Sequence, residues 1–430
     1  MKPLPTLRAP LLLTAAVLSA APAPAADEHT EQIHRLEGEL RAAPDHGGVL
    51  FLLARERALA GDAAGALRDL ERAIATGLDL DVEAENAFLP LRNKPEFMAL
   101  LDRALDQRVV ARTSTEAFRV PERDLIPEGL AHDPVTGDFF LGSLFKRKIV
   151  RIAGSVEGSA PPRIQDFATS GQDGLWEVLG MKVDAKRRLL WVMTAAGKAA
   201  GAQEGCSAAL VYDLGTGTLA RRYLMDNAKA RHLFNDVALA ADGRAFLTDS
   251  EAGTVWRIDP EKDAPELLLK PWSLGYPNGI ALSADEKRLY VADFEHGISI
   301  VDAASGDLRA LPHPSNVSLH GVDGLYRHDS GLIAVQNGAG TERIVRLRLD
   351  KDGLRVVSLD ILESRNPAFA IPTTGVIVGS EFYYIANSLL DRRGPDGRLK
   401  PNARLEPVVI LKAPLVPPPG PASPERRPGP

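Results

Sequence analysis

Cysteine is almost absent: Cys206 is the only one among 430 residues, so no internal disulfide can form. Positive charge is not in excess either, since 51 Lys and Arg stand against 57 Asp and Glu, a formal charge of −6. No basic cluster interleaves with aromatic residues. The electrostatic footprint of a nucleic-acid binder is therefore missing, and small or neutral ligands, or metals, are the expected partners. Beyond residue 26 no apolar run is long enough to span a membrane. The lone thiol lies in "EGCSAALVYDL", at the start of a strand and without a recognisable His partner. It reads as a small buried residue rather than a nucleophile.

What is present falls into segments. Residues 1–26 carry Lys2 and Arg8, an apolar run from Leu11 to Ala20, and small residues from Ala21 to Ala26 that offer an A-x-A cleavage site. This is the pattern of a secretory signal peptide and predicts an exported protein, periplasmic or secreted. With 45% hydrophobic residues the remainder can bury a large core. Residues 27–112 show helical spacing: Leu50, Leu53 and Ala54, a Gly61-Asp62 break, then Ala66, Leu70 and Ala73. Small residues at Ala54, Ala66 and Ala73 would let two antiparallel helices approach closely. The unit resembles a single tetratricopeptide repeat followed by a further helix, Pro95 to Leu105, without the usual Trp and Tyr. One such unit cannot bury its own face, so it is expected to pack on the rest of the chain or to dock a protein partner. A plain helical bundle with no binding role fits the same spacing. Residues 414–430 are too rich in proline to fold and read as a disordered tail.

Residues 113–413 have the texture of an all-β domain, with short period-2 strands separated by Asp, Gly and Pro. One frame recurs within it: polar residue, Gly or Asp, apolar strand, turn, second apolar strand. It appears as "EGLAHDPVTGDFFLG" from Glu128, "NDVALAADGRAFLTD" from Asn235, "NGIALSADEKRLYVAD" from Asn278 and "DGLYRHDSGLIAVQN" from Asp323, with fainter copies from Leu179 and Thr374. The copies are separated by 51, 56, 43, 45 and 51 residues, the period of propeller blades of four strands. The chain is thus expected to be a six-bladed β-propeller, all-β, with a small α-helical N-terminal domain. Its ring should close by pairing Ala117–Val120 with the last blade near Val408–Ile410.

In a propeller the innermost strands begin around one mouth of the central channel. Read there, the frame gives Glu128, Leu179, Asn235, Asn278, Asp323 and Thr374. Asn278-Gly279 then serves the hub rather than a hairpin turn, although Asn-Gly between apolar runs is a strong hairpin signal. Two carboxylates and two carboxamides offer only hard oxygen donors, with a charge that one divalent cation would neutralise. Calcium suits the set better than zinc, and Mn2+ or Mg2+ accept similar ligands. The alternative is that these residues merely line a solvated channel.

The same four blades resemble the gluconolactonase and senescence-marker-protein (regucalcin) family, through "IPEGLAHDP", "FNDVALAADGRAFLTD", "PNGIALSADEKRLYVAD" and "VDGLYRHDSGLIAV". The likeness covers residues 115 to about 413. It implies a calcium held by Glu128, Asn235, Asn278 and Asp323, and hydrolysis of lactones or related esters. One departure is Leu130-Ala131-His132 where the lactonases often carry Pro-x-Trp after Glu-Gly. Asp323 is the candidate catalytic base; by the resemblance, nucleophile or ligand alone are the alternative roles for this carboxylate. Asn235, Asp236, His232, His320 and Trp176 are candidates to bind substrate, with Glu177 beside Trp176 as a possible pocket wall. Two other readings compete: a non-catalytic propeller that binds a ligand or protein partner, and a purely structural ion.

Overall fold

The structure, a computed structural model, describes residues 26–153, 162–338 and 340–415. The expected leader and nearly all of the proline-rich tail lie outside the described residues. Four α-helices come first: α1 (Ala26–Ala42), α2 (Gly47–Leu59), α3 (Ala63–Ala75) and α4 (Pro95–Asp106), with a 3-10 turn at Asn86–Leu91. Helix α2, "GGVLFLLARERAL", is apolar nearly all round and is the buried centre of the unit. Gly61 ends it with φ +82°, and the Asp62 carboxylate caps α3 by accepting from Gly65 N–H at 2.9 Å. Ala54, Ala66 and Ala73 are wholly buried between the helices, the close approach their size predicts.

The helical unit packs on the chain's own β domain. Gly47 N–H donates to Ser315 O (3.3 Å), and a Cβ on Gly48 would lie 2.5 Å from Ser318 Oγ, so α2 meets the 311–321 connection end-on. Arg365 reaches Asp79 at 2.6 Å and Asp81 at 2.7 Å, and Glu363 accepts from the N–H groups of Thr113 and Ser114, each at 2.7 Å. Among the described residues no helix is long and apolar enough to cross a membrane.

The β domain is a six-bladed propeller of four-stranded antiparallel sheets. Blades 1 to 6 begin with inner strands Pro127–His132, Glu177–Asp184, Phe234–Leu239, Pro277–Leu282, Val322–His328 and Gly375–Val378. The sixth sheet closes the ring: Thr115–Val120, the first strand of the chain, pairs with Val408–Pro414, the last, with Phe118 opposite Ile410 and Val120 opposite Val408. This is the closure expected from the pattern. The closing strand continues past residue 413. Leu415 is buried, its N–H donates to Ser380 O at 2.8 Å, and its carbonyl accepts from Arg346 at 2.6 Å.

Two histidines join the helices to the propeller. Val49 N–H donates to His46 Nδ1 (3.3 Å), which leaves the proton of neutral His46 on Nε2. His313 Nδ1 lies 3.1 Å from Leu311 O, which leaves its Nε2 as acceptor, and the two Nε2 atoms are 2.7 Å apart. Burial, with His313 and His320 nearby, lowers the His46 pKa from 6.5 to about 4, while Glu39 opposes the shift. A base kept neutral in the fold stabilises it fully above pH 6.5 and loses that contribution as the pH falls toward 4. The His46→Asn variant keeps a capping side chain and removes the titration. Thermal unfolding of the parent should lose about 1–3 kcal/mol more than this variant between pH 7 and pH 4.5. Parallel pH profiles would show that the pair contributes nothing.

Candidate functional site at the propeller hub

Each ring position is built by a local irregularity. In blades 1 to 5 the inner strand breaks register around it, between Pro127 and Leu130, Val178 and Met181, Phe234 and Val237, Pro277 and Ile280, and Val322 and Leu325. A bulge re-aims a side chain and ends regular pairing, which frees the polar residue from the sheet. The next residue is glycine in every blade but the third: Gly129, Gly180, Gly279, Gly324 and Gly375. None of these has positive φ, so no turn demands them. Space does. A Cβ on Gly129 would lie 2.1 Å from Leu179 O, on Gly180 2.6 Å from Asn235 O, and on Gly279 2.4 Å from Asp323 O. The inner strands meet backbone to backbone, and Asn278-Gly279 is a hub contact.

Glu128, Asn235, Asn278 and Asp323 are all buried. Hydrogen bonds between blades fix their backbones: Thr374 Oγ1 donates to Glu128 O, and Thr248 Oγ1 donates to Asn278 O at 2.7 Å. The Asn235 amide donates to Ser250 Oγ at 2.9 Å, turning its oxygen end the other way. Asp323 Oδ2 accepts from Asn337 Nδ2 at 2.7 Å. Asp323 Oδ1 and Glu128 Oε2, both buried, have no hydrogen-bond partner. Burial and then the charge of Asp323 push the Glu128 carboxyl well above its usual range, against the pull of Arg393. Burial likewise raises Asp323 to about 7, opposed by the Asn337 and Asn278 amides. Two buried acids whose charges act on one another and which keep unpartnered oxygens would be stabilised by a cation near both. Among the described residues no three His, Cys, Asp or Glu side chains gather as a metal-ligating group. A cation in the hub would therefore need the Asn235 and Asn278 carboxamide oxygens as well, and this all-oxygen set fits calcium, manganese or magnesium.

Asp236 takes the place of the missing glycine. Its carboxylate accepts from Val237 N–H at 2.8 Å and Ile280 N–H at 3.4 Å, and Lys182 opposes the rise that burial causes in its pKa. The Lys182 ammonium stands 4.3 Å over the Tyr326 ring, and the Tyr326 hydroxyl accepts from Gly375 N–H at 2.7 Å. Lys182 and Tyr326 also line a cavity of about 350 Å³ with the strand-end residues Leu282 and Ile377, toward the end of the inner strands away from the ring. With all three carboxylates ionised, one ammonium would leave an excess of two negative charges, a state that burial disfavours unless a cation is bound.

The remaining candidates have partners of their own. His232 Nδ1 is 2.6 Å from Asp249, which also accepts from Leu233 N–H and the Trp256 indole, so this ring anchors a blade connection. His320 is 3% exposed and turned toward the helical unit, with its ring centroid 5.6 Å from that of His46 and Nε2 3.9 Å from Glu39. Trp176 packs into the core beside Phe140 and Met181, and its indole donates to Gln203 at 3.3 Å. Glu177 is paired with Arg393 at 2.5 Å, and Arg393 in turn acts on Glu128.

Sequence reasoning missed Asn337 and Tyr276. Asn337 closes the fifth repeat copy, directly after the strand Gly331–Gln336, and that position was its only signal. Tyr276 precedes the ring by two residues. Burial, then the charges of Glu251, Glu128 and Asp323, raise its pKa, and Ser250 opposes the rise. Gly279→Ala should cost at least about 1–3 kcal/mol by overpacking and weaken divalent-ion binding. A thermal midpoint and calcium affinity equal to the parent's would show that the inner strands can part freely.

With fold and hub defined, the class is a six-bladed propeller with an oxygen-lined mouth. Residues 189–370 match the SMP-30/Gluconolactonase/LRE-like region family. That stretch contains Asn235, Asn278 and Asp323 of the ring but not Glu128. Solved structures similar to this chain include a gluconolactonase from Xanthomonas campestris (17% identity, 70% of this chain, 89% of that one, TM-score 0.46). Others are an aldose sugar dehydrogenase from Streptomyces coelicolor (15%, 70%, 98%, 0.47) and virginiamycin B lyase from Staphylococcus aureus (12%, 70%, 99%, 0.45). No curated protein matches the chain.

Proposed function

We propose that the protein is an exported calcium-dependent hydrolase that opens lactones or cleaves related esters at the ring of Glu128, Asn235, Asn278 and Asp323. The observation that carries this reading is the pair of buried carboxylates, Glu128 and Asp323, each with an unpartnered oxygen and acting on one another through charge. The match of residues 189–370 supports it. When bound, a divalent ion would supply positive charge to a carbonyl oxygen, favouring the build-up of negative charge there.

The chain's own groups do the rest. Asn337 fixes Asp323 through Oδ2, so Oδ1 is the free pole that would take a proton from water. Asn235, held through its amide by Ser250, presents an oxygen without needing to reorganise. The Tyr276 phenol, kept protonated by its surroundings, can donate to a polar group of the substrate. Glu128 supplies the charge that retains the cation, and the Lys182–Asp236 layer lies in the channel near the ring.

Purified protein should hydrolyse a γ- or δ-lactone or an aryl ester and lose that activity with chelator. Asp323→Asn should lower kcat by about a hundredfold or more while staying folded. Glu128→Gln should weaken calcium binding, measured by calorimetry. Turnover that survives both chelator and Asp323→Asn would overturn the mechanism. Absence of turnover on a broad panel would favour a ligand-binding propeller, and chelation that lowers only the thermal midpoint would favour a structural ion.

A further inference from the structure

A cavity of about 520 Å³ lies between the helical unit and blades 5 and 6. The propeller contributes Asn337, Glu342, Arg365 and Phe369, and the helical unit contributes Glu83 and Arg108. Asn337 connects this space to the ring. Its amide donates to Asp323 Oδ2 (2.7 Å) and to Pro372 O (2.8 Å), while its own Oδ1 is buried with no partner. Asn337 thus touches Asp323 and also lines the cavity, so a substrate at Asp323 that extends past Asn337 would place its outer part there. Glu342 is a second polar group on the wall: Ile371 N–H donates to its Oε1 (3.0 Å), and burial raises its carboxyl to about 7.

The two arginines of the wall differ. Arg365 is 11% exposed and held by Asp79, Asp81 and Thr341, so it is a fixed clamp between helices and propeller. Arg108 is 30% exposed and pairs at 2.8 Å with Glu83, itself 59% exposed. A pair this open contributes little to stability and can exchange one partner for another at small cost. It is the adaptable part of an otherwise pinned surface.

We infer that the helical unit forms one wall of the substrate pocket, with Arg108 and Glu83 as specificity-determining residues for the part of the substrate remote from the bond that is broken. This rests on the hydrolase reading above. The wall suits a lactone or ester whose remote part carries a hydroxyl or a carboxylate. Arg108 would meet the polar substituent, and Glu83 would hold Arg108 back from anionic ones.

The test uses the full chain with calcium and three lactones of one ring size: unsubstituted, hydroxylated and carboxylated. Arg108→Ala should raise KM for the two polar lactones about five- to tenfold, with kcat within twofold and the unsubstituted lactone unaffected. Arg108→Lys should recover part of the loss for the carboxylated ring. Glu83→Gln should lower KM for that ring. Arg103→Ala, a charge loss on α4 at a residue paired with Glu71 and 47% exposed, is the control and should change nothing. Parental KM ratios in Arg108→Ala and Glu83→Gln, with chelator-sensitive turnover in the parent, would overturn this inference and leave the hydrolase reading intact. A parent with no turnover on any lactone or ester would overturn both.

Discussion

Two buried carboxylates whose charges act on one another are the constraint around which the hub is arranged. Glu128 and Asp323 come from blades 1 and 5, and neither can be moved apart without opening the ring of inner strands. Burying like charges without compensation is costly, and removing water from a carboxylate makes it more so. The surroundings answer with oriented amides: Asn337 and Asn278 on Asp323, and Arg393 acting from a distance on Glu128. Among the described residues no cationic side chain pairs with either carboxylate. The site is thus an electrostatic demand held in place by a rigid β scaffold.

That rigidity comes from backbone proximity. Gly129, Gly180 and Gly279 stand next to the ring because the adjacent inner strands leave no room for a methyl group, and bulges at the same places turn the ring residue out of the sheet. Side chains from neighbouring strands then tie one blade to the next, as Thr248 does to Asn278 O and Thr374 to Glu128 O. Asp236 breaks the glycine rule and adds a carboxylate, which Lys182 answers from blade 2. Position in the repeat thereby separates roles that residue type alone would not.

Much of this was legible in the chain. Period-2 patterning repeated every 43 to 56 residues marks both the blade count and the ring positions, because each blade must present the same register to one axis. The closing pair of strands was legible for the same reason. Residues outside the repeat frame were not. His232 and His320 lie near ring positions in sequence, yet the connections that carry them turn one toward Asp249 and the other toward the helices. Tyr276, Asn337 and Arg393 act through loops whose course no periodicity records. Asn278-Gly279 was legible because the repeat frame outweighs the local signal: Asn-Gly marks a turn where local geometry decides, and here the neighbouring strand decides.

The first and last strands share a sheet, and this sets an order of assembly. A chain emerging from the ribosome can form the helical unit and pair the strands within blades 1 to 5 as each is completed. The sixth sheet has to wait for Val408–Pro414. Until then Glu128 and Asp323 belong to an open arc, free to swing apart, and their mutual repulsion favours the opening. A cation bound by the ring would therefore favour its closure, and closure would complete the site for such a cation.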